Sequence, residues 1–318
     1  MRGTSQSNHL IMITLGSGFL TKYFVASGAL AFDGKGWIWE RPLVWLGLLK
    51  PELFAVVIKT LTLSPRKGNL RWWKPWTCVS LISGGAVNKV GLTNKGMDHW
   101  ECHVAPRINF IKYNIVGSIL GNQEELVELA KRFNRYALVA LEVNYSCPNT
   151  GHSIPYAEAV AESVRAVAKA SRHPIIVKVS VDQDYVAIAK ALEGIVAAIS
   201  INSVPYSTAF PDGPRTPLWK LEQKVGGGGG GVSGRPAQKL NWKAVQELAQ
   251  QTSVPVIAPS IMEYEDMRRV KRMGAEAVSF GTIHLPTFPL WNPLNWFSIV
   301  LNPLKPTRFV RREQSEQE

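Results

Sequence analysis

Short apolar, β-branched runs recur along the chain, and many are separated by stretches with helical spacing of apolar positions. The runs at residues 23–26, 55–60, 110–116, 138–144, 175–179, 197–201, 254–258 and 277–280 predict eight strands. Their near-continuous apolarity, without polar alternation, is the pattern of strands buried on both faces in a parallel sheet. Helical spacing covers residues 123–134, capped by Asn122, and residues 154–171, 185–192, 242–251 and 264–273, the last closed by Gly274. Eight strands with helical crossovers predict an α/β fold, a (β/α)8 TIM barrel, with a doubly wound open sheet as the second choice.

Several connections break this rhythm. Residues 32–52 and 64–107 carry Gly, Pro and Trp in place of a clean amphipathic helix, and residues 205–234 form a long loop with six consecutive glycines at 226–231. Loops of that length in a compact domain are usually functional or mobile. Beyond His284 the expected last helix is interrupted by Pro286, Pro289, Pro293 and Pro303, and residues 308–318 read as a charged, frayed tail. The expected division is a barrel over residues 1–290, a single domain with irregular insertions, and a Pro/Trp-rich and charged tail over residues 291–318. No internal repeat is visible.

Composition narrows the class. Cys78, Cys102 and Cys147 make no paired framework and no Cys-x-x-Cys, which argues against disulfides, iron–sulfur clusters and structural zinc and suits a reducing cytoplasm. Cys78 and Cys102 with His99 and His103 are too irregularly spaced for a metal set, so no metal is expected. No stretch reaches the roughly 18 apolar residues of a membrane span. The run at residues 10–15 is too short and too weakly flanked by charge for a signal peptide. The net charge of +12 attracts anionic ligands or surfaces, but no nucleic-acid motif accompanies it. The tryptophans cluster as Trp37, Trp39 and Trp45, as Trp72, Trp73 and Trp76, and as Trp291 and Trp296, near Pro, Lys and Arg. Packing in the core or between subunits is one reading; a peripheral membrane surface is the other, because Trp with cations suits the headgroup region.

In a barrel, reactive groups gather at the C-terminal ends of strands. The ends expected here are Ala26-Ser27-Gly28, Lys59-Thr60, Gly117-Ser118, Asn144 to Thr150, Lys178, Ile201-Asn202-Ser203, Pro259-Ser260 and Gly281-Thr282, with a loop from Asn88 to Asn94 after the second strand. Lysines inside or directly after buried runs are poorly explained by packing, since unpaired buried Lys is costly. Asn144 and Asn149 flank Cys147 and Pro148, which halts the strand; their amides both donate and accept. The plainer alternative is a turn with Asn and Pro there for backbone reasons. Two lysines, several amides and one thiol describe a neutral-polar and cationic site with no catalytic carboxylate. That argues against hydrolysis by paired acids and suits a planar, amide-rich substrate.

These segments, in this order and spacing, resemble the dihydroorotate dehydrogenase family from about residue 23 to 285. The resemblance implies an FMN-bearing barrel that oxidises dihydroorotate to orotate in pyrimidine biosynthesis. It implies that Cys147, with the cysteine of the soluble class, removes the C5 proton while hydride passes from C6 to flavin N5, with Lys59 also at the reacting centre. It assigns Lys59, Asn88, Val90, Gly91, Leu92, Asn144, Asn149, Asn202 and Ser203 to the substrate. The FMN contacts it implies are Ala26, Ser27, Gly28, Lys59, Thr60, Asn88, Ser118, Asn144, Lys178, Ile201, Ser233, Gly234, Ser260, Gly281 and Thr282. The expected electron acceptor is left among fumarate, NAD through a partner subunit, and quinone, and a homodimer is expected from soluble relatives. Competing readings are a related dihydropyrimidine flavoenzyme and a barrel subunit that has lost FMN. One departure stands out: Pro259-Ser260 replaces the family's Gly-Gly after the seventh strand, and proline has no N–H for a phosphate.

Overall fold

The structure is a computed structural model that describes residues 12–71, 77–146, 157–211, 230–285 and 305–318. Eight parallel strands close into a barrel: β1 (Tyr23–Val25), β2 (Ala55–Val57), β3 (Asn114–Ile119), β4 (Ala140–Asn144), β5 (Ile175–Val179), β6 (Ala198–Ile201), β7 (Val256–Ala258) and β8 (Ala277–Phe280). Each pairs with its sequence neighbour, and β8 pairs with β1, so the (β/α)8 reading holds and the open sheet does not.

Burial of both faces explains the near-continuous apolarity. Side chains facing outward, such as Val56, Ile115, Leu141, Val143, Val177 and Ile199, join the core beneath the helices. Those facing inward form layers along the barrel axis. Phe24, Ala55, Val57, Val116, Ala140, Ile176, Ala198, Ile257 and Ala277 make an apolar layer, closed at one end by Ile13 and Leu15 of the hairpin Ile13–Thr14/Leu20–Thr21. Two residues further along β3 to β6 the inward positions are Ser118, Glu142, Lys178 and Ser200. The barrel interior therefore turns from apolar to polar toward the C-terminal mouth.

Strand bounds differ from the reading where the ladder is interrupted. β2 ends at Val57 because the Lys59 N–H leaves the ladder for the Ala31 carbonyl (2.9 Å), and pairing resumes where Leu61 N–H meets the Ser118 carbonyl (2.8 Å). The helix Gln123–Phe133 has its expected Asn122 cap, completed by Glu125 as a capping box. The helix expected over 242–251 begins at Arg235 instead, with Pro236 in its first turn, where proline's missing N–H has no helical partner to lose. The expectation of a frayed end at 308–318 is corrected: Lys305–Ser315 is a helix, with Val310 in the core and Glu313 bonded to Lys22 and to the Tyr23 hydroxyl.

The irregular insertions build an unexpected small sheet on the mouth. Strands Val79–Ile82 and Gly85–Asn88 form a hairpin, and Gly231–Gly234 and Val204–Pro205 extend it, all antiparallel. Ser83-Gly84, with Gly84 at φ +70°, is its two-residue turn. Among the described residues, no helix is long and apolar enough to cross a membrane.

Candidate active site

The polar layer is one continuous hydrogen-bond network. Ser27 Oγ on the β1 end donates to the Ile58 carbonyl (2.9 Å) and lies 3.0 Å from Thr60 Oγ1. Thr60 Oγ1 lies 2.9 Å from Ser118 Oγ and accepts from Asn144 Nδ2 (3.2 Å). Ser118 Oγ donates to Glu142 Oε1 (3.0 Å), which also receives Lys178 Nζ at 3.4 Å, while Ser200 Oγ donates to Glu142 Oε2 (3.3 Å). Ser27, Thr60, Ser118, Asn144 and Lys178, chosen from sequence, thus meet in one place. One carboxylate not foreseen from sequence joins them. Glu142 lies buried among them, an acceptor-only group that compensates the Lys178 charge. The argument that singled out Lys178 applies equally to a Glu in mid-strand and would have found it.

Above this floor the amides are arranged in pairs. Asn144 Oδ1 accepts from Ser146 N–H (3.1 Å) and Oγ (2.7 Å), and the Ser146 carbonyl accepts from Asn202 Nδ2 (3.1 Å). Ser146 therefore fixes two of the expected amides, a role not foreseen. Asn88 Nδ2 donates to the Gly231 carbonyl (3.4 Å), and a Cβ at Gly231 would fall 2.3 Å from Ser203 Oγ, so Asn88 and Ser203 flank the same glycine. The loop after Asn88 turns through Gly91 (φ +67°) and Leu92 (φ +58°), while Val90 uses its carbonyl to accept from Thr93 and Asn69. Asn94, buried, ties this loop to Thr62.

A second group forms where β1, β8 and the small sheet abut. A Cβ at Gly281 would sit 3.1 Å from Ala26 Cβ. Gly234 (φ +84°) leaves room for Thr282, whose Cγ2 would lie 3.1 Å from a Cβ there, and Ser233 Oγ donates to the Ala86 carbonyl (3.3 Å). Gly28 (φ +82°) lies over the Lys59 stem. Ile201 is buried, so at most its backbone is offered. Ser260 stands apart. It holds φ +64°, a conformation costly for any residue with a Cβ, and its hydroxyl accepts from Asn241 Nδ2 (3.1 Å) on the helix Arg235–Gln251. Cys147 and Asn149 lie outside the described residues, directly after Ser146.

Near Lys59 lies a thiol assigned no role from sequence. Cys78 is buried, and burial pushes it up to about 11 against the opposing pull of the Lys59 ammonium. It is a neutral thiol at physiological pH. Among the described residues, no group of three or more His, Cys, Asp or Glu is placed to hold a metal ion.

The profile of the dihydroorotate dehydrogenase family matches residues 43–289. The chain belongs to the dihydroorotate dehydrogenase family. It is 32% identical over 240 residues to the catalytic subunit of dihydroorotate dehydrogenase B (NAD(+)) of Desulforamulus reducens, covering 73% of this chain and 75% of that protein. The corresponding subunit of Anoxybacillus flavithermus is 33% identical over 242 residues, covering 72% and 73%. Dihydroorotate dehydrogenase A (fumarate) of Lactobacillus delbrueckii subsp. bulgaricus is 33% identical over 244 residues, covering 73% and 76%. As a member of this family the chain is an oxidoreductase. The family match begins after the β1 end, so Ala26, Ser27 and Gly28 rest on geometry and local motif alone.

Proposed function

We propose that this chain oxidises dihydroorotate to orotate with FMN bound at the barrel mouth. The observation that carries the reading is the convergence of Ser27, Thr60, Ser118, Asn144 and Lys178 on one network beneath a half-open mouth. The residues present fit a flat, phosphate-bearing cofactor. Ala26, Ser27, Gly28, Gly281 and Thr282 set small side chains and bare backbone at two adjoining strand ends, so a planar ring can approach closely. Ser233, Gly234 and Thr282 would hold the phosphate, and Lys178 would face the ring with a cation. When bound, FMN supplies the acceptor for the C6 hydride.

The chain's own residues do the rest. Asn88, Asn144, Asn149 and Asn202 match the alternating donors and acceptors of a pyrimidine ring, and a substrate that left these amides unpaired would be penalised. Lys59 offers a cation at the half-exposed rim for the substrate's negative charge. Cys147, one residue beyond the anchored Ser146, takes the C5 proton on Sγ, which requires the thiolate or a water path to solvent. Glu142 holds the Lys178 ammonium in place without entering the chemistry.

The test is anaerobic mixing of purified protein with dihydroorotate. Flavin bleaching, followed by recovery with fumarate, NAD with a partner subunit, or a quinone in turn, supports the reading and assigns the acceptor. Protein that is colourless and that FMN does not reconstitute overturns it, and points to a barrel subunit without the cofactor. Cys147→Ala is expected to retain flavin and lose most turnover near neutral pH; unchanged turnover removes the thiol from the mechanism.

A further inference from the structure

We propose that residues 38–48 dock this chain onto the surface of an anionic phospholipid membrane. The connection between β1 and β2 buries Leu43 and Leu49 in the core, yet turns Ile38 (79% exposed), Trp39, Trp45 (84%), Leu46 (72%) and Leu48 to solvent. These five residues are half of the large exposed apolar side chains among the described residues, gathered in eleven consecutive positions. Solitary exposed apolar residues are ordinary; a contiguous cluster marks a docking surface.

The start of the segment is anchored to the barrel. Trp37 stacks on Trp39 and donates Nε1 to the Gly28 carbonyl (3.0 Å). The buried Glu40 accepts from Trp37 N–H (2.9 Å) and lies 3.3 Å from His284 Nδ1.

The charges beside the patch select that occupant. Arg41 lies within it, held by Asp33 at 2.8 Å. The backbone N–H of Lys50, two residues past Leu48, donates to Thr307 Oγ1 (3.4 Å), which brings up the helix Lys305–Ser315. Lys305, Arg308 and Arg311 on that helix are exposed and, among the described residues, make no ion pair. Of the acidic groups nearby, Asp33 is engaged with Arg41, Glu40 with Trp37 and His284, and Glu313 with Lys22, while Glu52 makes no ion pair among the described residues. Trp and Leu bordered by Lys and Arg are the composition of a segment seated among anionic headgroups. A lipid surface also asks for no matching groove, and the patch is the short helix Arg41–Trp45 with its flanking turns.

The experiment is sedimentation of the full-length protein with phosphatidylcholine vesicles, with and without one-third phosphatidylglycerol. Wild type is expected to pellet with the anionic vesicles, less as salt rises, and only weakly with phosphatidylcholine alone. The double variant Trp45→Glu/Leu46→Glu, at exposed positions, is expected to keep its fold and its dihydroorotate turnover in solution and to lose at least about tenfold in partitioning. Arg308→Glu/Arg311→Glu is expected to reduce the preference for anionic vesicles. Wild type that stays in the supernatant overturns the proposal, as does a Trp45→Glu/Leu46→Glu variant that binds like wild type. Light scattering in which that variant turns a dimer into a monomer, without vesicle binding by wild type, assigns the patch to a second copy instead.

Discussion

Replacing Glu142 by Gln tests the barrel's polar layer directly. The carboxylate accepts from Ser118 at 3.0 Å, Ser200 at 3.3 Å and Lys178 at 3.4 Å, and the Glu142 and Lys178 side chains are only 3% and 8% exposed. Removing one partner of a buried ion pair typically costs about 3–5 kcal/mol, because the other charge is left uncompensated. The Lys178 contact is long, and a Gln oxygen still accepts from Ser118, so the expected loss is about 2–3 kcal/mol. At about 2 °C per kcal/mol for a chain of this size, the cofactor-free protein should melt roughly 4–6 °C lower. Lys178→Met alone should also destabilise, since it strands the carboxylate. The double variant removes both charges and should regain more than about 1 kcal/mol relative to the sum of the singles, a coupling that urea unfolding of the four proteins measures. Strict additivity, within about 0.5 kcal/mol, would refute the claim that Glu142 and Lys178 act as a pair.

Three further expectations can be checked alongside. Gly234→Ala places a Cβ 2.5 Å from the Gly84 carbonyl in a backbone at φ +84°; it should cost more than about 2 kcal/mol and weaken FMN binding by titration, and a neutral effect would show that the strand end is not constrained. Cys102 is exposed, whereas Cys78 is buried with its thiol raised to about 11, so iodoacetamide at pH 8 should modify Cys102 and leave Cys78 until the chain unfolds; early labelling of Cys78 by mass spectrometry would contradict its placement. Burial lowers the His173 pKa below its usual 6.5, and the ring lies 3.2 Å from the Phe133 carbonyl through Nε2. A depressed folded-state value means the unfolded chain takes up the proton first. The stability this group contributes is therefore present above pH 6.5 and is lost as pH falls through the folded value. His173→Gln should flatten that part of the stability profile, and an unaltered slope below pH 6.5 would remove His173 as its source.

The eight strands were readable because burial on both faces is written locally, as β-branched apolar runs interrupted by helical spacing. The helix at 123–133 was readable in the same way, since its cap and amphipathic face lie within a dozen residues. Lys59, Asn88, Asn144, Lys178 and Asn202 announced themselves as polar residues where packing alone would place apolar ones, and the family resemblance supplied their order. The hairpin at 79–88 pairs locally across its Ser-Gly-Gly turn, but the sheet it belongs to was missed because the strand that extends it, Gly231–Gly234, lies far along the chain. Gly231 meets Asn88 across 143 residues, and no local periodicity encodes that register.

What the sequence determined by itself is the alternation of strand and helix and the presence of unusual polar residues at strand ends, both set by short-range burial patterns. The tertiary structure alone decided which of those residues touch. Barrel closure turns every second side chain of β3 to β6 inward, so Ser118, Glu142, Lys178 and Ser200, scattered over more than eighty positions, become neighbours around one carboxylate. It also decided that Trp39 and Trp45 face solvent while Trp100 is buried, since an aromatic side chain favours any surface that removes it from water and only the packed fold shows which surfaces are already taken.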